Sequence, residues 1–334
     1  MKLILFFKLQ FKLGDLLSGE MFHRKITVPN FKIICMKTRS MIVVIIFIIS
    51  FMGCNAQNEK EETNFPELTG LYLGQKPSGL TAEIFASGII SRNGYFEHSA
   101  AVFSPDLSEV FWSAKPDGRR YFKIYFMKMI NGKWTQQQLA PFNGNKNNGK
   151  PTFSSDGKKL FFDSEGDIFF VKKEANTWTN AVKLSSAINT HASESVQSIT
   201  ENSSIYFLRF NPNAKIRGNA HEMFVSKVEN GKYSKPEKLD KNINSIEQEN
   251  AISVAPNESY MIIEETKDNR LCELYISYKM AEKKWSKRIL LPIAWGRFPS
   301  VSPDEKYLFF MTRDAIYWID AKFIVKFKKE QIKT

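Results

Sequence analysis

Five times along the chain, a short apolar run leads into a cluster of Pro, Asp, Asn, Gly and Ser. A second run then follows that is apolar at successive positions. The five copies are FSPDLSEVFWS (103–113), FSSDGKKLFFD (153–163), ITENSSIYFLR (199–209), VAPNESYMIIE (254–264) and VSPDEKYLFFM (301–311). Their starts lie 50, 46, 55 and 47 residues apart, which is the period of a propeller blade. Pro105, Pro256 and Pro303 pre-set φ for the first central position of a tight turn. Asp106, Asp156, Asn202, Asn257 and Asp304 follow, and such side chains bond their own backbone in turns. The run after each turn is apolar on both sides, which predicts a strand covered on both faces.

A second pattern follows the first in four copies: a strand-like run beginning near Ile124, Asp167, Glu222 and Glu273, then an aromatic at Trp134, Trp178, Tyr233 and Trp285. Asn131-Gly132 and Asn230-Gly231 precede two of those aromatics, and Asn-Gly between apolar runs is a strong hairpin signal. The unit is therefore four antiparallel strands. One aromatic per blade at one position points to packing. Asp167, Glu222 and Glu273 read as acids that fix loops, since no clustered Asp loop surrounds them to bind calcium. The fifth copy ends at Ala315–Asp320 without a fourth strand, whereas Thr81–Ala86 near the start matches the fourth strand Thr135–Ala140. The expectation is an all-β chain: a five-bladed β-propeller over residues 78–324, closed by its N-terminal strand. Six blades is the alternative count.

The N-terminus reads as an address. Residues 41–52, MIVVIIFIISFM, are apolar, and Lys37 and Arg39 precede them. A basic region and a dozen apolar residues before small residues make a secretory signal, too short for a comfortable membrane span. The run ends in Phe51-Met52-Gly53-Cys54, which resembles the lipobox of bacterial lipoproteins, with Phe51 where Leu is usual. Cys54 is the expected lipidation site, and the acyl chains would hold the protein at a membrane. Met36 is then the favoured start, residues 1–35 an upstream extension outside the fold, and 36–54 the signal peptide. Residues 55–77 are expected as a tether, and 325–334 as a C-terminal tail.

Composition refines this picture. The 28 Phe suit wide sheets packed face to face. Of the formal +12 charge, residues 1–54 hold eight Lys/Arg and two acids. The remainder carries 39 Lys/Arg against 33 Asp/Glu, a scattered +6 that argues against nucleic-acid binding. Cys272 alone remains after residue 54, which excludes a disulfide and a Cys-based metal site there. No motif for a cofactor is present, and neither a phosphate loop nor a Gly-x-Ser-x-Gly elbow occurs.

The repeats resemble the TolB-like, WD40-like β-propeller repeat of bacterial envelope lipoproteins, particularly those of Bacteroidetes-type bacteria, over roughly residues 72–324. The resemblance implies a fold, and an outer-membrane lipoprotein facing the periplasm or the surface, but no one activity. Candidate ligand-binding residues come from the loops leading into the first strand of each repeat, at the expected channel mouth. They are His98, Asn148, Glu194 and Glu249, with neighbouring Glu97 and Arg297. The principal reading is a binding or scaffold module for a protein, peptide or glycan. The alternative is a carbohydrate-active enzyme using Glu194 and Glu249 as paired carboxylates.

Overall fold

The structure is a computed structural model that describes residues 65–324 and 327, except 176, 214–219, 246, 268–269, 282–283 and 314. Extension 1–35, signal peptide 36–54 with Cys54, residues 55–64 of the expected tether and all of the tail but Phe327 lie outside the described residues.

The chain builds five four-stranded antiparallel blades. Blade one has an inner strand in two pieces, Tyr95–Glu97 and Val102–Phe103, then Glu109–Pro116, Lys123–Ile130 and outer Gln138–Leu139. Blade two runs through Asn148–Phe153, Lys159–Ser164, Asp167–Glu174 and Val182–Lys183. Blade three uses Ser193–Ile199, Ile205–Phe210, His221–Ser226 and Glu237–Lys238. Blade four uses Gln248–Val254, Tyr260–Thr266, Cys272–Ala281 and Ile289–Leu290. Blade five takes Arg297–Val301, Tyr307–Met311 and Ile316–Asp320 from the C-terminal end, and its outer strand is Glu83–Ile84. Glu83 pairs with Trp318 and Ile84 with Tyr317, so the N-terminal strand closes the ring as the sequence predicts.

Each turn after an inner strand repeats one device. The N–H of Leu107, Gly157, Ser203, Glu258 and Glu305 donates to the carbonyl three residues earlier, at 2.8–2.9 Å. Those five residues all have positive φ, between 55° and 68°. The preceding Asp or Asn locks the turn: Asp106 accepts from Ser104 Oγ (2.6 Å) and Ser108 N (3.1 Å), and Asp304 from Ser302 Oγ (2.8 Å) and Lys306 N (3.2 Å). In the outer hairpins, Asn131-Gly132 and Asn230-Gly231 both take left-handed φ, as a two-residue hairpin turn requires.

The second strand of each blade is buried on both faces, and its alternate residues enter different cores. Leu160 and Phe162 pack towards blade one, with Phe111 and Phe153, while Phe161 packs towards blade three, with Ile205 and Phe207. Five apolar clusters fill the five gaps between blades. The per-blade aromatic seals these gaps: Trp178 meets Phe111 of the preceding blade edge-on at 5.9 Å, and Trp285 joins Tyr206 of blade three.

The tether expected over 55–77 is corrected at its C-terminal end. Leu73 is fully buried, and Tyr72 packs on Phe103, Tyr307 and Trp318 and donates to Asp304 Oδ1 at 2.5 Å. Trp134 Nε1 donates to Gly70 O at 2.8 Å. Residues 65–76 therefore form a strap against blades five and one, on the turn face. Among the described residues no helix is long and apolar enough to cross a membrane.

Candidate functional site

Inner strands run from the channel mouth towards the turn face, so the loops leading into them rim the mouth. In blades two, three and four these loops hold an Asn, buried in the first two and half-buried in the third. Asn143 Oδ1 accepts from Ile124 N (2.8 Å), and its Nδ2 donates to Ile124 O and Ala140 O. Asn189 and Asn244 do the same for Ile168 and Met223. The acids expected at the mouth belong to this loop scaffold. Glu194 accepts from Thr190 Oγ1 (2.5 Å) and Thr190 N (3.1 Å), and pairs with Arg209 at 2.8 Å. Glu249 accepts from Ser245 Oγ (2.6 Å) and pairs with Arg288 at 3.0 Å. Asn148 Nδ2 donates to Asn143 O. Glu97, 2% exposed, sits at the corresponding place in blade one. Burial pushes its carboxyl up to about 7, against the backbone N–H groups of Glu97 and Arg92 and the Arg92 charge.

The six predicted residues therefore do not form one ring. Glu194 and Glu249 are each held by an arginine and a hydroxyl, which is not the free facing pair that a hydrolase needs. Their sequence signal was real, because buried acids at loop starts do recur, but the recurrence serves the loops. Asp167 and Glu222 likewise form ion pairs to fourth-strand lysines, Lys183 (2.8 Å) and Lys238 (2.7 Å). Among the described residues no group of three His, Cys, Asp or Glu side chains is placed to hold a metal.

His98 and Arg297 do meet, in a second cluster. His98 stacks on Phe122 at 4.4 Å and leans on Phe298 at 5.0 Å. Burial, with the charges of Lys150, Arg297 and Lys115, brings its imidazole down to about 3, so it is neutral at physiological pH. Lys115 caps the Phe122 ring at 5.1 Å, and Lys150 and Arg297 cap Phe298 at 5.1 and 4.7 Å. Arg297 Nε also donates to buried Glu264 at 3.1 Å, and Phe298 N donates to the other Glu264 oxygen at 2.8 Å.

Lys150 and Asp163 were missed by sequence reasoning. Lys150 has φ of 48° and lies where the register with the next strand shifts between Gly149 and Thr152. Such bulges re-aim side chains near sites. Among the described residues its ammonium has no hydrogen bond or ion pair within 4.0 Å. Burial, helped by Arg297, holds its pKa below the usual lysine value, while Asp163 and Glu264 act in the other direction. Asp163 accepts from Ser195 Oγ (2.6 Å) and Val196 N (2.8 Å) of blade three, and burial pushes its carboxyl up to about 6. Both had a signal. Lys150 is the charge at an aligned position otherwise filled by Ala100, Val196, Ala251 and Phe298, and Asp163 aligns with Glu264.

Two cavities meet at Lys150. One, of about 280 Å³, is the central channel, lined by all five inner strands through residues such as Ser99, Thr152, Gln197, Ser253 and Ser300. The other, of about 250 Å³, opens at the mouth between His98, Asn148, Asp163, Glu165 and Ser193. Around a concave space the described residues bring the unpaired ammonium of Lys150, a neutral imidazole, hydroxyls and carboxylates.

No protein-family model matches the sequence. No curated protein matches it. Similar solved structures include TolB from Acinetobacter baumannii, at 13% identity over 68% of this chain and 54% of that one, with a TM-score of 0.42. The putative TolB from Agrobacterium tumefaciens shows 11% identity over 65% of this chain and 69% of that one, with a TM-score of 0.41. An oligogalacturonate lyase in complex with manganese shows 13% identity over 69% and 66%, with a TM-score of 0.40. The chain spans about half the length (54%) of the Acinetobacter protein. The fold and the blade count here rest on the strand pairing itself.

Proposed function

We propose that this protein is an exported, lipid-anchored propeller that binds a polar protein, peptide or glycan ligand at the channel mouth beside blades one, two and five. The observation that carries this reading is Lys150: an unpaired ammonium on a bulged inner strand, where the two cavities meet. A partly desolvated ammonium without a hydrogen bond or ion pair is costly, and a ligand can supply one. Ligand sites also favour concave places with a few convergent polar groups. The anchor rests on the Gly53-Cys54 junction. A Cys54→Ser chain is expected to lose lipid labelling, and labelling that persists removes the anchor.

The binding reading is tested on glycan and peptide arrays with the full chain, Lys150→Glu and Lys158→Glu. Lys158 is exposed on the turn face, so the two variants change charge equally at opposite ends of the channel. Array binding is expected to survive Lys158→Glu and to be lost with Lys150→Glu at unchanged melting temperature. Equal loss in both variants, or none in either, contradicts the mouth as the site.

A further inference from the structure

The mouth cavity has a lining that narrows the kind of ligand. Among the described residues that line it, Lys150 is the one unpaired cation. Asp163, Glu165 and Glu194, the last paired with Arg209, lie around it, so the cavity is not strongly positive overall. A dianion such as phosphate would meet these carboxylates, while a single carboxylate can reach the ammonium and leave Asp163 and Glu165 to accept hydrogen bonds. Acceptors are in excess. Asn148 is 2% exposed, lines the cavity, and its Oδ1 has no hydrogen-bond partner. A buried acceptor of that kind calls for a donor. Ser193 and Ser195 add hydroxyls to the same wall, and Phe122 and Leu208 supply an apolar side. The cavity, at about 250 Å³, suits one ring rather than a folded peptide turn.

We propose that the mouth receives a sugar acid, its carboxylate on the Lys150 ammonium, its hydroxyls on Asp163 and Asn148, and its apolar ring face against Phe122 and Leu208. This rests on the binding reading above and names the ligand class for the same site. An acidic peptide fits less well, because it brings several carboxylates to one free cation and few hydroxyl donors to the acceptors.

Titration calorimetry on the full chain tests the assignment, with glucuronate, glucose, inorganic phosphate and tetra-aspartate as probes. Glucuronate is expected to bind at least about tenfold more tightly than glucose, the usual size of a charge-assisted contact. Lys150→Gln is expected to reduce glucuronate to the glucose level, and Lys150→Arg to keep part of the difference. Asp163→Asn provides a second variant and is expected to weaken both sugars alike. Glucuronate binding that matches glucose, or that survives Lys150→Gln, overturns the proposal. So does tighter binding of phosphate or tetra-aspartate. If no sugar acid binds while an array ligand is lost with Lys150→Glu, the ligand class falls and the mouth remains the site. If the arrays also show no dependence on Lys150, both readings fall.

Discussion

Glu97 is a carboxyl that the fold makes sensitive to pH near neutrality. Burial raises it to about 7, and one of its oxygens has no hydrogen-bond partner. The folded chain therefore holds this proton more tightly than the unfolded chain. The stabilisation is fully present below the ordinary Glu range and is lost as pH rises through about 7. Glu97→Gln keeps the shape without the charge. Thermal melts are expected to show the wild type losing stability between pH 5 and pH 8 relative to the variant, by about 2–4 kcal/mol at pH 8. Parallel curves would show that Glu97 is charged and satisfied throughout. At this scale the sequence was half legible. It marked Glu97, His98, Asn148, Glu194, Glu249 and Arg297 as one polar neighbourhood, but could not show that His98 lies against Phe122 while Glu194 and Glu249 turn to their arginines. Which way a side chain faces at a bulge depends on register, and the repeat alignment does not carry bulges.

At the scale of elements, the two-sided strands and the Asp turns were fully legible, since each leaves a local pattern that recurs five times. The strap was not. Tyr72 and Leu73 are buried through left-handed backbone, at φ of 51° and 59°, in a stretch with no period of 2 or 3.6. Three truncations separate strap from strand. Deleting 55–64 is expected to leave melting unchanged. Deleting 55–77 removes Leu73 and Tyr72 from the core between blades five and one and is expected to cost at least about 3 kcal/mol. Deleting 55–86 also removes Phe85 and uncovers the edge of Ile316–Asp320, and such edges aggregate. Equal yield and melting for all three would contradict this closure.

For the whole molecule, ring closure fixes the mouth and the turn face as opposite ends of one channel. The strap attaches on the turn side, through Tyr72 and Asp304, so the Lys150 end is the other one. The fold alone names no ligand, because propellers host many functions. The functional account stands on the claim that ligand engages the mouth. Backbone hydrogen exchange of the full chain, with and without the strongest array ligand, tests that claim most directly. The account predicts added protection at Asn147–Lys150, Ser193–Val196 and Arg297–Phe298, and none at the turns around Asp106, Asp156 and Asp304. Protection at those turns with an unchanged mouth would contradict it.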